Sequence, residues 1–362
     1  MREASQIPRL TAALAAGLAG LGMLAAARAI RRRPAIDFED RVALITGGSR
    51  GLGLLMAREL AHRGARLSIV ARDPDELDLA RRELTAVSHH RVLALPCDVG
   101  EREEAEWAVR ATVERFGRLD ILINNAGIIQ VGPIEHMGLD DFEDAMKVHF
   151  WGPLYFIQAA LPHFRRHGEG RIVNISSIGG KIAVPHMAPY SASKFALVGL
   201  SNALQAELAG EGIYVTTVCP GLMRTGGHVN ALFKGRRDEE LAWFAVSDAL
   251  PVASISGRRA ARRIIEACKH GEPHLILTPQ ARLAAATAAL MPCVTARGLE
   301  LVNRLLPRPS DDGDEAQPGW RHTSRWVPSL LTRLSDEAAV ENNELRGAAV
   351  AEYGKNGKPA PA

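Results

Sequence analysis

The sequence predicts an α/β protein whose core is a doubly wound parallel sheet of about seven strands. Three observations carry this: short β-branched apolar runs alternate with helix-length amphipathic stretches, the rhythm holds over 36–278, and a glycine-rich turn directly follows the first run. The strand candidates are 42–46, 66–70, 92–95, 119–123, 171–175, 213–218 and 274–277. Between them lie helical stretches at 52–63, 75–86, 101–116, 142–167, 191–209 and 257–270. Strands in this rhythm fill one sheet, so 36–278 is expected to form a single Rossmann-like domain rather than two.

A chain of 362 residues, 47% of them hydrophobic, can bury a substantial core. Its formal charge of +3 is spread among acidic residues, which excludes the continuous basic stripe that nucleic acid requires. Cys97, Cys219, Cys268 and Cys293 are far apart with no Cys-x-x-Cys pair, so neither a metal site nor a disulfide framework is expected.

The two ends differ from the middle. Residues 10–27 carry no charge and are followed by Arg28, Arg31, Arg32 and Arg33. A run of this kind reaches the roughly 17–25 residues a membrane helix needs, and the arginines would keep their side cytoplasmic. Residues 1–35 are thus expected to be a membrane anchor with a basic flank, the main domain lying on the cytoplasmic side. A cleaved signal peptide and a surface-lying segment are the competing readings. Beyond the domain, 279–306 reads as a helical extension with an apolar centre at 284–296, suited to a lid or a membrane-surface helix. Residues 307–319, rich in Pro, Asp and Gly, read as a linker, so 307–362 is expected to be linker and tail, partly disordered.

The turn reads Thr46-Gly47-Gly48-Ser49-Arg50-Gly51-Leu52-Gly53 and opens a helix. Gly47 permits the tight turn, Gly51 lets the backbone approach a pyrophosphate, and Gly53 lets helix and sheet pack closely. The helix N-terminus adds free N–H donors and a positive dipole end. At the end of the second strand, where an acidic residue would bind the ribose hydroxyls of NAD, stand Ala71 and then Arg72. Arg50 brings a second guanidinium near the same place, and a planar fork of donors suits a phosphate dianion.

Tyr190 and Lys194 lie one helical turn apart, on one face. A phenol titrates near pKa ~10, and a nearby cation favours the phenolate, so such a pair can act as acid and base at neutral pH. Alone it is an ordinary helical pair; its context is Asn174-Ile175-Ser176-Ser177 at the end of the fifth strand, where a hydroxyl can face a cleft.

With these motifs in this order, the chain resembles the short-chain dehydrogenases/reductases over about 42–278. The resemblance implies a hydride transfer between a nicotinamide cofactor and a carbonyl or alcohol, with Tyr190 as acid and base and Lys194 lowering its pKa and holding the nicotinamide ribose. It implies Ser177, by position relative to Tyr190, as the hydroxyl that polarises the carbonyl, with Ser176 as the alternative. Arg50 and Arg72 together imply NADP(H), with NAD(H) less favoured. The resemblance also implies cofactor contacts at Thr46, Ser49, Leu52, Asp98 and Val99, at Asn125, Ala126 and Gly127, and at Pro220, Gly221 and Thr225.

One position departs from the family. Its usual Val-Asn-x-x-Gly reads Val148-His149-Phe150-Trp151-Gly152, so histidine replaces the asparagine that anchors a relay water. His149 could hold that water, act in a relay that titrates near neutrality, or be a satisfied core histidine.

The leading expectation is a membrane-associated reductase or dehydrogenase of a lipophilic small molecule. The segment 226–250, with Phe233, Trp243 and Phe244, would line an apolar pocket or fill a core. A cofactor-binding scaffold with lapsed chemistry is the alternative. A nucleotide-sugar epimerase is disfavoured because that class spaces its glycines Thr-Gly-x-x-Gly-x-x-Gly. The resemblance also implies subunit pairing through the two long helices, here 146–167 and 191–209, in a homodimer or homotetramer.

Overall fold

A computed structural model describes residues 34–88, 92–249, 254–310, 313–322, 324, 326–329 and 331–345. The chain divides into a unit Met1–Ile36 and a unit Asp37–Ala362. The anchor expected at 10–27 lies outside the described residues, among which no helix is long and apolar enough to cross a membrane.

The sheet holds β1 (Val42–Thr46), β2 (Arg66–Ala71), β3 (Val92–Pro96), β4 (Ile121–Asn124), β5 (Gly170–Ile175), β6 (Ile213–Cys219) and β7 (His274–Ile276). All seven pair in parallel in the order β3-β2-β1-β4-β5-β6-β7, so the Rossmann-like doubly wound α/β fold is present. Successive strands step outward in one direction as far as β3, and the chain then returns to place β4 on the other side of β1. A crevice opens at the carboxyl ends of β1 and β4, the place where such sheets take ligands. β1, β4 and β5 are buried along their whole length, which is why they read as unbroken apolar runs.

The flanking helices are α1 (Gly51–His62), α2 (Pro74–Ser88), α3 (Arg102–Phe116), α4 (Leu139–Met146), α5 (Gly152–His167), α6 (Ala188–Leu208), α7 (Arg237–Ala249) and α8 (Gly257–His270). The single helix expected at 142–167 is α4 and α5 joined by a π-helical turn, Lys147–Trp151. That wider turn carries His149 inward, to complete burial. Helix α6 starts before Tyr190 because Pro189, without an N–H to lose, sits in its first turn.

The extension expected as one helix at 279–306 is two, α9 (Pro279–Leu290) and α10 (Pro292–Asn303). Pro292 cannot donate to the preceding turn and drives Met291 out of the helical region, to φ −134° and ψ 61°. Of the stretch expected as linker and tail, the described residues fold back onto the domain. Gln317–Pro318 pairs antiparallel with Leu232–Phe233, and α11 (Arg333–Glu341) follows, with Ala339 and Leu345 buried against Val229.

A polar seam ties the sheet to α6. Asn124 Nδ2 donates to Asn174 Oδ1 (2.8 Å), and Asn174 Nδ2 donates to Ser201 Oγ (2.8 Å), all three side chains being buried. Asn174→Ala strands the Asn124 amide and the Ser201 hydroxyl together, a loss of about 2–4 kcal/mol if each orphaned group costs its desolvation. A fall in Tm of several degrees in calorimetry is the expected result; an unchanged Tm would show that the seam contributes nothing.

Candidate active site

The crevice is a cleft of about 430 Å³ running from the glycine turn to Tyr190 and Lys194. At one end the turn leaves β1 and enters α1. Gly51 holds φ +56°, a conformation open to glycine, and a Cβ on Gly53 would collide with Gly47 O, so this helix packs on its strand only through glycine. Thr46 lies beneath the turn rather than in the cleft: its Oγ1 accepts from Asn125 N (2.9 Å) and Ala126 N (3.1 Å), while Asn125 Nδ2 donates to Thr46 O and Gly47 O (each 3.1 Å). These bonds lock the ends of β1 and β4 together. The glycine cradle, the helix N-terminus and the cleft beyond fit the phosphates of a dinucleotide.

Gly47, Ser49, Arg50, Gly51 and Leu52 line this end, as do Arg72, Asp98 and Val99. Ser49 and Arg50 are not free. Glu76, from α2, accepts from Ser49 Oγ (2.9 Å) and pairs with Arg50 Nη1 (3.0 Å). Arg72 is exposed at the rim and has no ion pair among the described residues. Asp98 Oδ1 accepts from Gly100 N (2.9 Å), which shapes the turn after β3.

At the other end, α6 presents Tyr190 and Lys194. Asn125, Ala126, Gly127 and Thr225 line the cleft there, whereas Pro220 and Gly221 stand behind it. Pro220 O accepts from Ile178 N (2.7 Å), which fixes the turn after Ser177, and Gly221 packs against Thr278 and Ala281. The two serines separate clearly. Ser176 donates to Lys194 O (3.0 Å), pins the helix and lines the cleft, while Ser177 Oγ accepts from Gly179 N (3.0 Å) and favours ionisation of the Tyr190 phenol beside it.

Lys194 donates from Nζ to Ile175 O (2.9 Å), and its ammonium lies 5.6 Å from the Tyr190 ring centroid. Burial pushes this amine down to about 7. Burial likewise pushes the Tyr190 phenol up to about 12, against the opposing hydrogen bond from Ser177. The lowered phenol expected from Lys194 is therefore not what the protein alone provides; loss of solvent outweighs the cation.

His149 departs from the water-holding role. Its Nε2 accepts from Ile128 N (3.1 Å), so the proton sits on Nδ1, which donates to Ser193 Oγ (2.8 Å). Ser193 in turn donates to Tyr190 O (2.9 Å). Both ring nitrogens are engaged, the ring is fully buried, and burial followed by the charge of Lys194 holds it well below the usual histidine range. A relay titrating near neutrality does not fit these bonds.

Motif spacing did not reveal several groups. Glu76 and Glu344 reach the phosphate end, Glu344 from the far end of the chain. Asp248, on α7, opposes ionisation of Tyr190, and burial raises its own carboxyl to about 7. Only Glu76 lay within local reach, one turn into the helix after the second strand. Phe233 and Phe244 are core: they pack edge to face (5.9 Å) in a cluster with Val131, Met187 and Leu241, against which Tyr190 rests.

A switch-point cleft with a glycine cradle at one end and a tyrosine, lysine and serine at the other defines an α/β oxidoreductase that uses a nicotinamide dinucleotide, NAD(P)(H), on a small molecule. Residues 41–233 match the short chain dehydrogenase family. The chain is 34% identical over 258 residues to the dehydrogenase/reductase SDR family protein 7-like of Anopheles gambiae, covering 70% of this chain and 80% of that one. It is 36% identical over 225 residues to the dehydrogenase/reductase SDR family member 7B of Danio rerio, covering 60% and 72%. The crystal structure of a short-chain dehydrogenase from Streptomyces avermitilis superposes with a TM-score of 0.63 at 32% identity, over 73% of this chain and 98% of that one. The chain belongs to the short-chain dehydrogenase family.

Because burial disfavours the imidazolium, His149 stays neutral as pH falls through the range where an exposed histidine gains its proton. Its ring resonances, assigned by loss in His149→Asn, are expected not to move between about pH 5.5 and 8. A midpoint near 6.5 would show that the Nδ1–H tautomer is not held.

Proposed function

We propose that the protein transfers a hydride between NADP(H) and a lipophilic carbonyl or alcohol at a membrane surface. The observation that carries the chemistry is the meeting of Tyr190 and Lys194 from α6 at the inner end of the cleft, with Ser177, just after β5, acting on the phenol. The bound cofactor supplies or accepts the hydride. Tyr190 donates its phenolic proton to the alkoxide oxygen formed in reduction, and takes it back in oxidation. Ser177 hydrogen-bonds the same oxygen and stabilises the charge growing on it. Lys194, held on Ile175 O, would in its protonated form favour the phenolate and, with the cofactor bound, would hold the nicotinamide ribose. His149 acts through Ser193 on the Tyr190 carbonyl, as a positioning residue.

NADP(H) is supported by Arg72, exposed at the adenosine end with no carboxylate on it among the described residues. NAD(H) is the second reading, favoured by Glu76, which occupies Ser49 and Arg50. The membrane location rests on the expected anchor at 10–27 and is supported by the consecutive helices α9 and α10. Together with the junction between them they expose Leu283, Leu290, Met291, Val294 and Leu301 beside Arg282 and Arg297. Exposed Trp151 and Phe195, on the long helices, support pairing into a dimer or tetramer.

A carbonyl and alcohol panel run with NADPH and with NADH in detergent tests the reading at once. Tyr190→Phe is expected to lower kcat at least about 100-fold while cofactor binding, followed by fluorescence, persists. Turnover surviving that change would overturn the assignment of Tyr190. Arg72→Ala is expected to reduce the ratio of kcat/KM for NADPH over NADH about tenfold. Parity of the two cofactors in the unaltered protein would favour NAD(H).

A further inference from the structure

The phosphate end of the cleft holds anionic oxygens that come from the chain itself. After α11, residues 342–345 turn back across the N-terminus of α1. Gly51 N donates to Asn342 O (2.8 Å), so a backbone carbonyl takes one of the helix donors suited to a phosphate oxygen. Asn343 Nδ2 donates to Ser49 O (3.4 Å). The Glu344 carboxylate lies 3.4 Å from Arg50 Nε and accepts from Asn230 Nδ2 (2.7 Å), and its side chain is only 9% exposed. A Cβ on Gly51 would collide with this carboxylate, so Glu344 sits in the space that the absence of a side chain at Gly51 creates.

The segment is held at both ends: Ala339 and Leu345 are buried with Val229, Arg58 Nη1 donates to Asn342 Oδ1 (3.2 Å), and Asn230 Nδ2 donates to Glu344 O (2.8 Å). Its hold on the cradle is polar, made of contacts that a phosphate could replace. A carbonyl on a helix N–H and a carboxylate on a guanidinium take up donors that the oxygens of a pyrophosphate would use. The two cannot coexist there, because the pyrophosphate is itself negative and the carboxylate would repel it and fill the space it needs. Along the cleft the segment extends to Thr225, whose carbonyl accepts from Asn342 Nδ2 (3.3 Å).

We propose that Asn342 and Glu344 are determinants of cofactor affinity that compete with the cofactor's phosphates for the cradle, so that binding requires residues 342–345 to leave it. The inference rests on the reading of this cleft as the nicotinamide dinucleotide site. A segment seated nine-tenths of the time weakens apparent affinity about tenfold, and weakening its hold recovers that factor.

Two measurements on the full chain test this. Binding of NADPH and of NADH is titrated by fluorescence in the unaltered protein and in Glu344→Gln, which keeps the side chain's size and removes its charge. In parallel, backbone hydrogen exchange over 337–345 is followed in the unaltered protein with and without saturating NADPH, which needs no variant to fold. The expected results are a Kd about five- to tenfold lower in Glu344→Gln and faster exchange over 337–345 when cofactor is bound. An equal or higher Kd, with exchange over 337–345 unchanged or slowed, overturns the inference and makes Glu344 a partner of the cofactor. Binding of neither cofactor to either protein would bring down the reading of the cleft, and the inference with it.

Discussion

The pairing of β1 with β4 is the contact on which the rest of the molecule depends. It joins the two halves of a sheet whose crossovers run in opposite senses, and only between those two strands does the backbone leave a crevice at the carboxyl edge. The seam is secured at its open end by Thr46, whose hydroxyl accepts two N–H groups from the chain leaving β4, and by the Asn125 amide returning to Thr46 and Gly47. Thr46 and Asn125 thus serve the cleft by shaping it. The neighbouring pair, β4 with β5, places Asn174 and Ser177 beside α6, so Tyr190 and Lys194 take their positions from strand register.

The inner corner shows how far burial governs a polar site. Lys194 and Tyr190 are displaced in opposite directions, the amine down and the phenol up, and both displacements disfavour the charged form. His149 belongs to the same logic. The π-helical turn carries its ring inward, and the backbone N–H of Ile128 and the hydroxyl of Ser193 settle its tautomer.

The outer end of the cleft is governed by charge instead. Arg50 stands between Glu76 and Glu344, contributed by segments remote from each other in sequence, and Arg72 remains at the rim. Two carboxylates at a site shaped for phosphate give the cradle an occupant of its own. The C-terminal segment reaches it because Gly226, at φ +88°, lets Ala339 approach the backbone where no side chain could stand.

The seven strands, the order of the helices and the glycine turn were legible in the sequence because each rests on a local pattern or a local backbone need: short apolar runs, the α-helical repeat, and turns that exclude a Cβ. Tyr190 and Lys194 could be seen as a pair one helical turn apart, whereas Ser177 was singled out only through the resemblance to a family. The sequence could not say whether Phe233 and Phe244 line a pocket or fill a core, or what His149 bonds to, since each depends on neighbours far along the chain. It read 307–362 as linker and tail because composition registers polarity and proline, whereas a short strand on Leu232–Phe233 and a small apolar contact at Val229 leave almost no periodic trace. The placement of Glu344 in the cradle was the tertiary structure's alone to decide: an ion pair between Arg50 and Glu344 has no sequence period, and it forms only because the fold brings together two residues remote from each other in the chain.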